Sequence, residues 1–168
     1  AYFDWPRVPH PAEVGAEASL TAIKEAVQAA GGPEAVLGLF LEPVQERTGR
    51  VAPAAFWGGL EALRREHDLP LALFESASAG WRGDAAHPFA FQGLGLKPEI
   101  VAWWGGGQTG FVHLTKRYFI PKPLMMVSTW DGDELSMIRL HHQLRAVRQI
   151  DQAEALAGKA AVFETTVK

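Results

Sequence analysis

Apolar residues recur at helical spacing from Ala16 to Ala30, with Leu20, Ile23 and Val27 at i, i+3 and i+7, and Gly31, Gly32 and Pro33 close the run. The pattern then becomes continuous: "AVLGLFLEP" (35–43) reads as a short strand buried on both faces. After a loop, "ERTGRVAP", Pro53 suits the first turn of a helix that carries Phe56, Leu60 and Leu63 and ends near "REHD". Three more strand-like runs follow: "LPLALFES" (69–76), "EIVAWW" (99–104) and "GFVHLT" (110–115). "PLMMVS" (123–128) is a short extended piece. A long helix from Asp133 to about Ile150 then carries Leu135, Ile138, Leu144 and Val147, and a further helix starts at Asp151. Residues 1–14 read as extended, because Pro6, Pro9 and Pro11 oppose a helix. Strands alternating with helices at this spacing predict an α/β fold with a largely parallel sheet, in which ligands sit at the carboxyl ends of strands. Those ends are "LEPVQ", "FESAS" and "WWGGG".

Composition narrows the function classes. The chain has 168 residues, enough for a single domain, with 48% hydrophobic and 21% charged residues, as in ordinary globular proteins. A net charge of -3 leaves no basic face for nucleic-acid phosphates. Cysteine is absent, which excludes disulfides and thiolate metal sites and fits a cytoplasmic setting. No apolar run reaches membrane-span length, so no membrane partner is expected. The opening "AYFDWP" and the closing "AVFETTVK" suggest a piece of a longer polypeptide.

Several stretches could carry chemistry, and each has a plainer reading. "GGGQTG" (105–110) could present backbone N–H groups to an anion, but no lysine follows it as in a P-loop, and a strand-to-strand connector explains it as well. Glu42 and Glu75 both end strands, and paired carboxylates can divide acid and base roles; each could instead cap a helix or face solvent. His141 and His142 are helix neighbours pointing about 100° apart, which does not suit joint metal ligation. "RGD" (82–84) carries almost no information. Asp131 or Asp133 can cap the helix that follows, and Ser128 to Asp133 also offers hydroxyls beside a tryptophan.

Six stretches, in order, resemble the class III (ornithine/4-aminobutyrate-like) aminotransferases, among which the 4-aminobutyrate and lysine 6-aminotransferases are most similar. "FDWPRVPHP" (3–11) is similar to the family's F-D-W-P segment, and "LFLEPVQ" (39–45) to its strand ending E-P-I-Q. "PAAFWGGLEALRREHDLPLALFE" (53–75) follows the helix leading to the D-E-V-Q strand, and "GLKPEIVAWW" (95–104) resembles G-x-x-P-D-I-V-T. "STWDGD" (128–133) resembles N/S-T-W-x-G-D, and "AGKAAVFE" (157–164) an A-G-K-x-L helix.

The resemblance covers nearly the whole chain. It implies part of the large domain of a fold-type-I pyridoxal-phosphate enzyme: a mostly parallel sheet of about four strands, the family's fourth to seventh, flanked by helices within one domain spanning 1–168. The family's phosphate loop and its substrate arginine lie in segments outside these stretches.

At the positions that carry the family's chemistry the match fails. Counting from Pro98, the Schiff-base lysine corresponds to Gly105, which has no amine. The aspartate that pairs with the pyridinium nitrogen corresponds to Glu75, and the glutamate after it to Ser76. The residue packed on the ring corresponds to Ala77, and the glutamine near the ring oxygen to Ser78. A second glutamate, which balances a substrate-binding arginine, corresponds to Arg47, a reversed charge. Thr129 matches the threonine that reaches the cofactor phosphate across the dimer.

The expectation is therefore a non-catalytic aminotransferase-like domain without bound cofactor. It would act as a structural, docking or dimerisation module toward other domains of a parent polypeptide, a protein partner or a second copy. Two alternatives stand beside it. One is a non-covalent binding module for pyridoxal phosphate or an amino acid near Thr129 and "GGGQTG". The other is a fragment of an active aminotransferase whose lysine is Lys97, Lys116 or Lys122.

Overall fold

A computed structural model describes residues 4–105, 109–123, 125 and 133–167. Its helices are α1 (Pro11–Val14), α2 (Ala16–Ala29), α3 (Ala54–Glu66), α4 (Ala90–Gly93), α5 (Glu134–Val147) and α6 (Gln152–Thr166); its strands are β1 (Leu39–Leu41), β2 (Leu71–Phe74), β3 (Ile100–Trp104) and β4 (Gly110–Leu114). The strands form one sheet in the order β1-β2-β3-β4. β1, β2 and β3 run parallel, and β4 returns antiparallel to β3. The α/β class and the mostly parallel four-stranded sheet are as the sequence predicts.

The register sorts the side chains onto two faces. Leu39, Leu41, Leu71, Leu73 and Val101 point to one face, where Ile23 and Val27 of α2 and Phe56, Leu60 and Leu63 of α3 complete the core. α2 and α3 approach closely because Gly59 has no side chain: a Cβ there would run into Leu20. The opposite face is only partly covered: Trp5 stacks on Phe40 with ring centroids 5.3 Å apart, and Ala72 is buried. Phe40, Phe74, Trp104, Val112 and Leu114, which share it, are 40–58% exposed.

Two local expectations need correction. The strand expected over 35–43 is confined to 39–41, because Pro33 starts a 3₁₀ turn over Pro33–Ala35. It is also not buried on both faces, since Phe40 lies on the open side. At the N-terminus, Pro11 opens a short helix rather than preventing one. Proline lacks only an N–H that the first helical position leaves unused.

The Nδ1 atom of His10 caps that turn by accepting the Ala12 N–H at 3.1 Å. Burial holds the His10 imidazole below its ordinary 6.5, helped by the nearby Arg50 guanidinium and opposed by Glu13. The unfolded chain thus takes up this proton more readily than the folded one. The associated stability is present above about pH 6.5 and declines as pH falls toward the folded value. Replacing His10→Asn, an uncharged cap, should flatten the decline between pH 7 and 5 in urea titrations; an unchanged slope would assign it to other groups.

Candidate functional site

Glu42, Glu75 and Gly105 follow the carboxyl ends of β1, β2 and β3. Glu75 follows β2, and its backbone N–H donates to Ala102 O at 2.8 Å, which carries the sheet ladder one residue further. Its side chain is fully buried. Oε2 accepts the Ser78 hydroxyl at 2.5 Å and the Ala90 N–H at 3.1 Å, while Oε1 accepts the Phe91 N–H at 2.9 Å. Glu75 and Ser78, which the resemblance places around a cofactor ring, are thus bonded to each other and to the first turn of α4.

Glu42, which follows β1, is also hydrogen-bonded to backbone. Its Oε2 accepts the Glu46 N–H at 2.7 Å, so each glutamate is engaged in its own loop. Arg47 lies in the exposed turn that follows.

Gly105 follows β3 directly, and its N–H donates to Thr109 O at 2.8 Å, closing the connection into β4. "GGGQTG" is therefore a strand-to-strand connector at its described ends; residues 106–108 lie outside the described residues. A Cβ built on Gly105 would lie 3.0 and 3.1 Å from the two methyl carbons of Leu140 and 3.4 Å from the Phe111 ring. Thr129, with Ser128, Trp130 and Asp131, also lies outside the described residues. Asp133 is described and caps α5, accepting the N–H groups of Leu135 and Ser136 at 3.3 and 3.1 Å. A hydrogen bond from the Ser136 side chain is the main reason its carboxyl lies below the usual range.

Trp103 and Trp104 point to opposite faces. Trp103 stacks on Phe111 with ring centroids 4.9 Å apart and donates its indole N–H to His113 Nε2 at 2.9 Å. Trp104 is on the open face. The lysines are displaced from Gly105. Lys97 precedes β3, and because β4 runs antiparallel, Lys116 follows its far end; both are at the amino edge of β3. Lys122 lies beyond the 3₁₀ turn Lys116–Tyr118.

The remaining motifs resolve into local structure. Within "RGD", Arg82 donates to the carbonyls of Ala79 and Ser76, both at 2.8 Å, and Asp84 bonds His87 at 2.7 Å. That bond to His87 is the main reason the Asp84 carboxyl is held below its usual range. His141 and His142 meet edge to face on α5. Among the described residues no group of three or more His, Asp or Glu side chains could hold a metal. Nor is any described helix long and apolar enough to cross a membrane.

No protein-family model matches the chain. The L-lysine-epsilon aminotransferase of Amycolatopsis lactamdurans is 30% identical over 92% of this chain and 38% of its own length. The acetylornithine aminotransferase of Myxococcus xanthus is 41% identical over 46% of this chain and 19% of its own. The chain is class III aminotransferase-like. Among solved structures, the lysine aminotransferase from M. tuberculosis in the internal aldimine form superposes with a TM-score of 0.73 at 24% identity. That match covers 89% of this chain and 37% of the other, and it shows the fold alone. The aminotransferase-like chain thus spans well under half the length of the relatives it matches.

The polar group that sequence reasoning missed is Arg64, 7% exposed. It donates from Nε to Glu61 at 2.6 Å and from Nη1 to Glu99 at 3.2 Å, and from Nη2 to the carbonyl of Lys97. Glu99 in turn accepts the Leu71 N–H at 2.7 Å. The signal was available, because Arg64 continues the spacing of Phe56, Leu60 and Leu63 on the core stripe of α3.

Proposed function

We propose that this chain is a non-catalytic, aminotransferase-like module whose apolar sheet face docks against another protein surface: a further domain of the same polypeptide, a partner, or a second copy. The observation that carries the reading is that open face. Phe40, Phe74, Trp104, Val112 and Leu114 are each at least 40% exposed, and no charged residue interrupts the strand positions they share. A contiguous apolar sheet face of this kind marks an interaction surface. The absence of an amine at Gly105, with Lys97 and Lys116 at the opposite edge of β3, supports the non-catalytic part.

Mixing the protein with pyridoxal phosphate and reading the aldimine absorbance before and after borohydride tests that part. No single-site adduct and no shift in melting temperature are expected. A reducible adduct on one lysine would restore the enzyme reading, and a melting shift without an adduct would favour a non-covalent binding module. Sedimentation at micromolar concentration, with and without Trp104→Glu, tests the docking part. Self-association or binding of an apolar dye, reduced in the variant, is expected; a strict monomer that binds no dye would overturn it.

A further inference from the structure

The family resemblance brings pyridoxal phosphate with it, and the residues present do not fit that group. The lysine position has no amine, and a Cβ there would require Leu140 to give way by a few tenths of an ångström. Carbon atoms attract best at about 3.5–4.0 Å, whereas a Cβ on Gly105 would stand 3.0 and 3.1 Å from the methyl carbons of Leu140. The glycine's backbone cannot swing clear while its N–H is held by Thr109 O at 2.8 Å. The carboxylate expected to meet the ring nitrogen is engaged as well. Glu75 is fully buried, and its two oxygens already accept three hydrogen bonds from Ser78, Ala90 and Phe91.

Leu140 is also distinctive on its own helix. It is the buried residue of α5, whereas Leu135, Met137, Ile138 and Leu144 are 36–66% exposed. Leu140 thus brings α5 to the end of β3.

We propose that the former lysine position now works as a socket: Gly105 is small so that Leu140 can seat α5 against the end of β3. This rests on the assignment of Gly105 to the lysine position, and it adds that the position has gained a structural task incompatible with its old one. A consequence is that restoring the amine alone does not restore a cofactor site.

A double-mutant cycle on melting temperature tests the socket. Gly105→Ala should lower the melting temperature by about 2–4 °C in the wild-type background, the shift that one such clash gives in a chain of this size. It should cost less than half as much in a Leu140→Ala background, where the methyls are gone. Independent, additive effects, or no effect of Gly105→Ala, would overturn the proposal. Gly105→Lys, checked for folding by circular dichroism, is then exposed to pyridoxal phosphate and reduced with borohydride. Peptide mapping should find residue 105 unlabelled, and stoichiometric labelling there would overturn the proposal. If that variant does not fold, the alanine cycle alone decides. An adduct on the wild-type protein is a different failure: it would refute the non-catalytic reading and leave the socket to stand or fall on the alanine cycle.

Discussion

Replacing Glu75→Ala is expected to lower the unfolding free energy by about 3–4 kcal/mol, measured by urea denaturation. Leaving a buried donor without an acceptor costs about 1–3 kcal/mol, and this change strands the amides of Ala90 and Phe91 together. The Ser78 hydroxyl loses its acceptor too, although a hydroxyl can turn toward another group. Glu75→Gln keeps one acceptor oxygen but places an NH₂ against a donor, so about half the loss should remain. Hydrogen exchange gives the local signature: the amides of Ala90 and Phe91 should lose protection in the alanine variant well before the amides of β2. If Glu75→Ala unfolds at the wild-type urea concentration, the carboxylate is not the tie between the end of β2 and α4.

The second large effect belongs to Arg64. Arg64→Met keeps the aliphatic stem that packs beside Leu60 and Leu63 and removes the guanidinium alone. A loss of about 3 kcal/mol is expected, within the range found when one partner of a buried ion pair is removed. Much of that loss is the penalty of leaving Glu99 partly buried without its cation, and Glu99 is only 22% exposed. Adding Glu99→Gln to Arg64→Met should therefore recover part of it, since the glutamine oxygen can still accept the Leu71 N–H. Arg64→Lys should not substitute. One ammonium cannot reach Glu61, Glu99 and the Lys97 carbonyl at once, as the planar fork does. Equal stability of Arg64→Met and wild type would mean that α3 is joined to the start of β3 by apolar packing alone.

Both tests concern connections between segments far apart in the chain, and such connections are what a sequence conceals. The helices expected from Ala16 and from Pro53 were legible because their periodicity is local: α2 spans Ala16–Ala29 and α3 spans Ala54–Glu66. The strands at 71–74, 100–104 and 110–114 were legible as apolar runs bounded by Pro, Gly and charged residues. The reach of β1 was overestimated, because an apolar run carries no mark of where pairing stops. The direction of β4 was not legible either, although the short, glycine-rich connector from β3 is the length an antiparallel return needs and is too short for a parallel crossover.

The candidate site divides in the same way. Residue identity alone leaves position 105 without an amine, since no folding can supply one, and puts a positive charge at Arg47. Apolar periodicity alone set an α/β chain with four strands, because burial repeats every two residues in a strand and about every 3.6 in a helix. Only the tertiary structure decided what these positions meet. Glu75 read as an acid–base carboxylate, a helix cap or a solvent-facing group, and is a buried acceptor for amides 15 and 16 residues away at the start of α4. Gly105 read as the position of an absent lysine, and a side chain built there would meet Leu140 of α5. The open sheet face followed from the register, which gathers Phe40, Phe74, Trp104, Val112 and Leu114 from four strands onto one side. The physical reason is common to all three. A residue's own chemistry and its local repeat are written in the chain, whereas the atoms that meet it across the fold depend on how every other element packs.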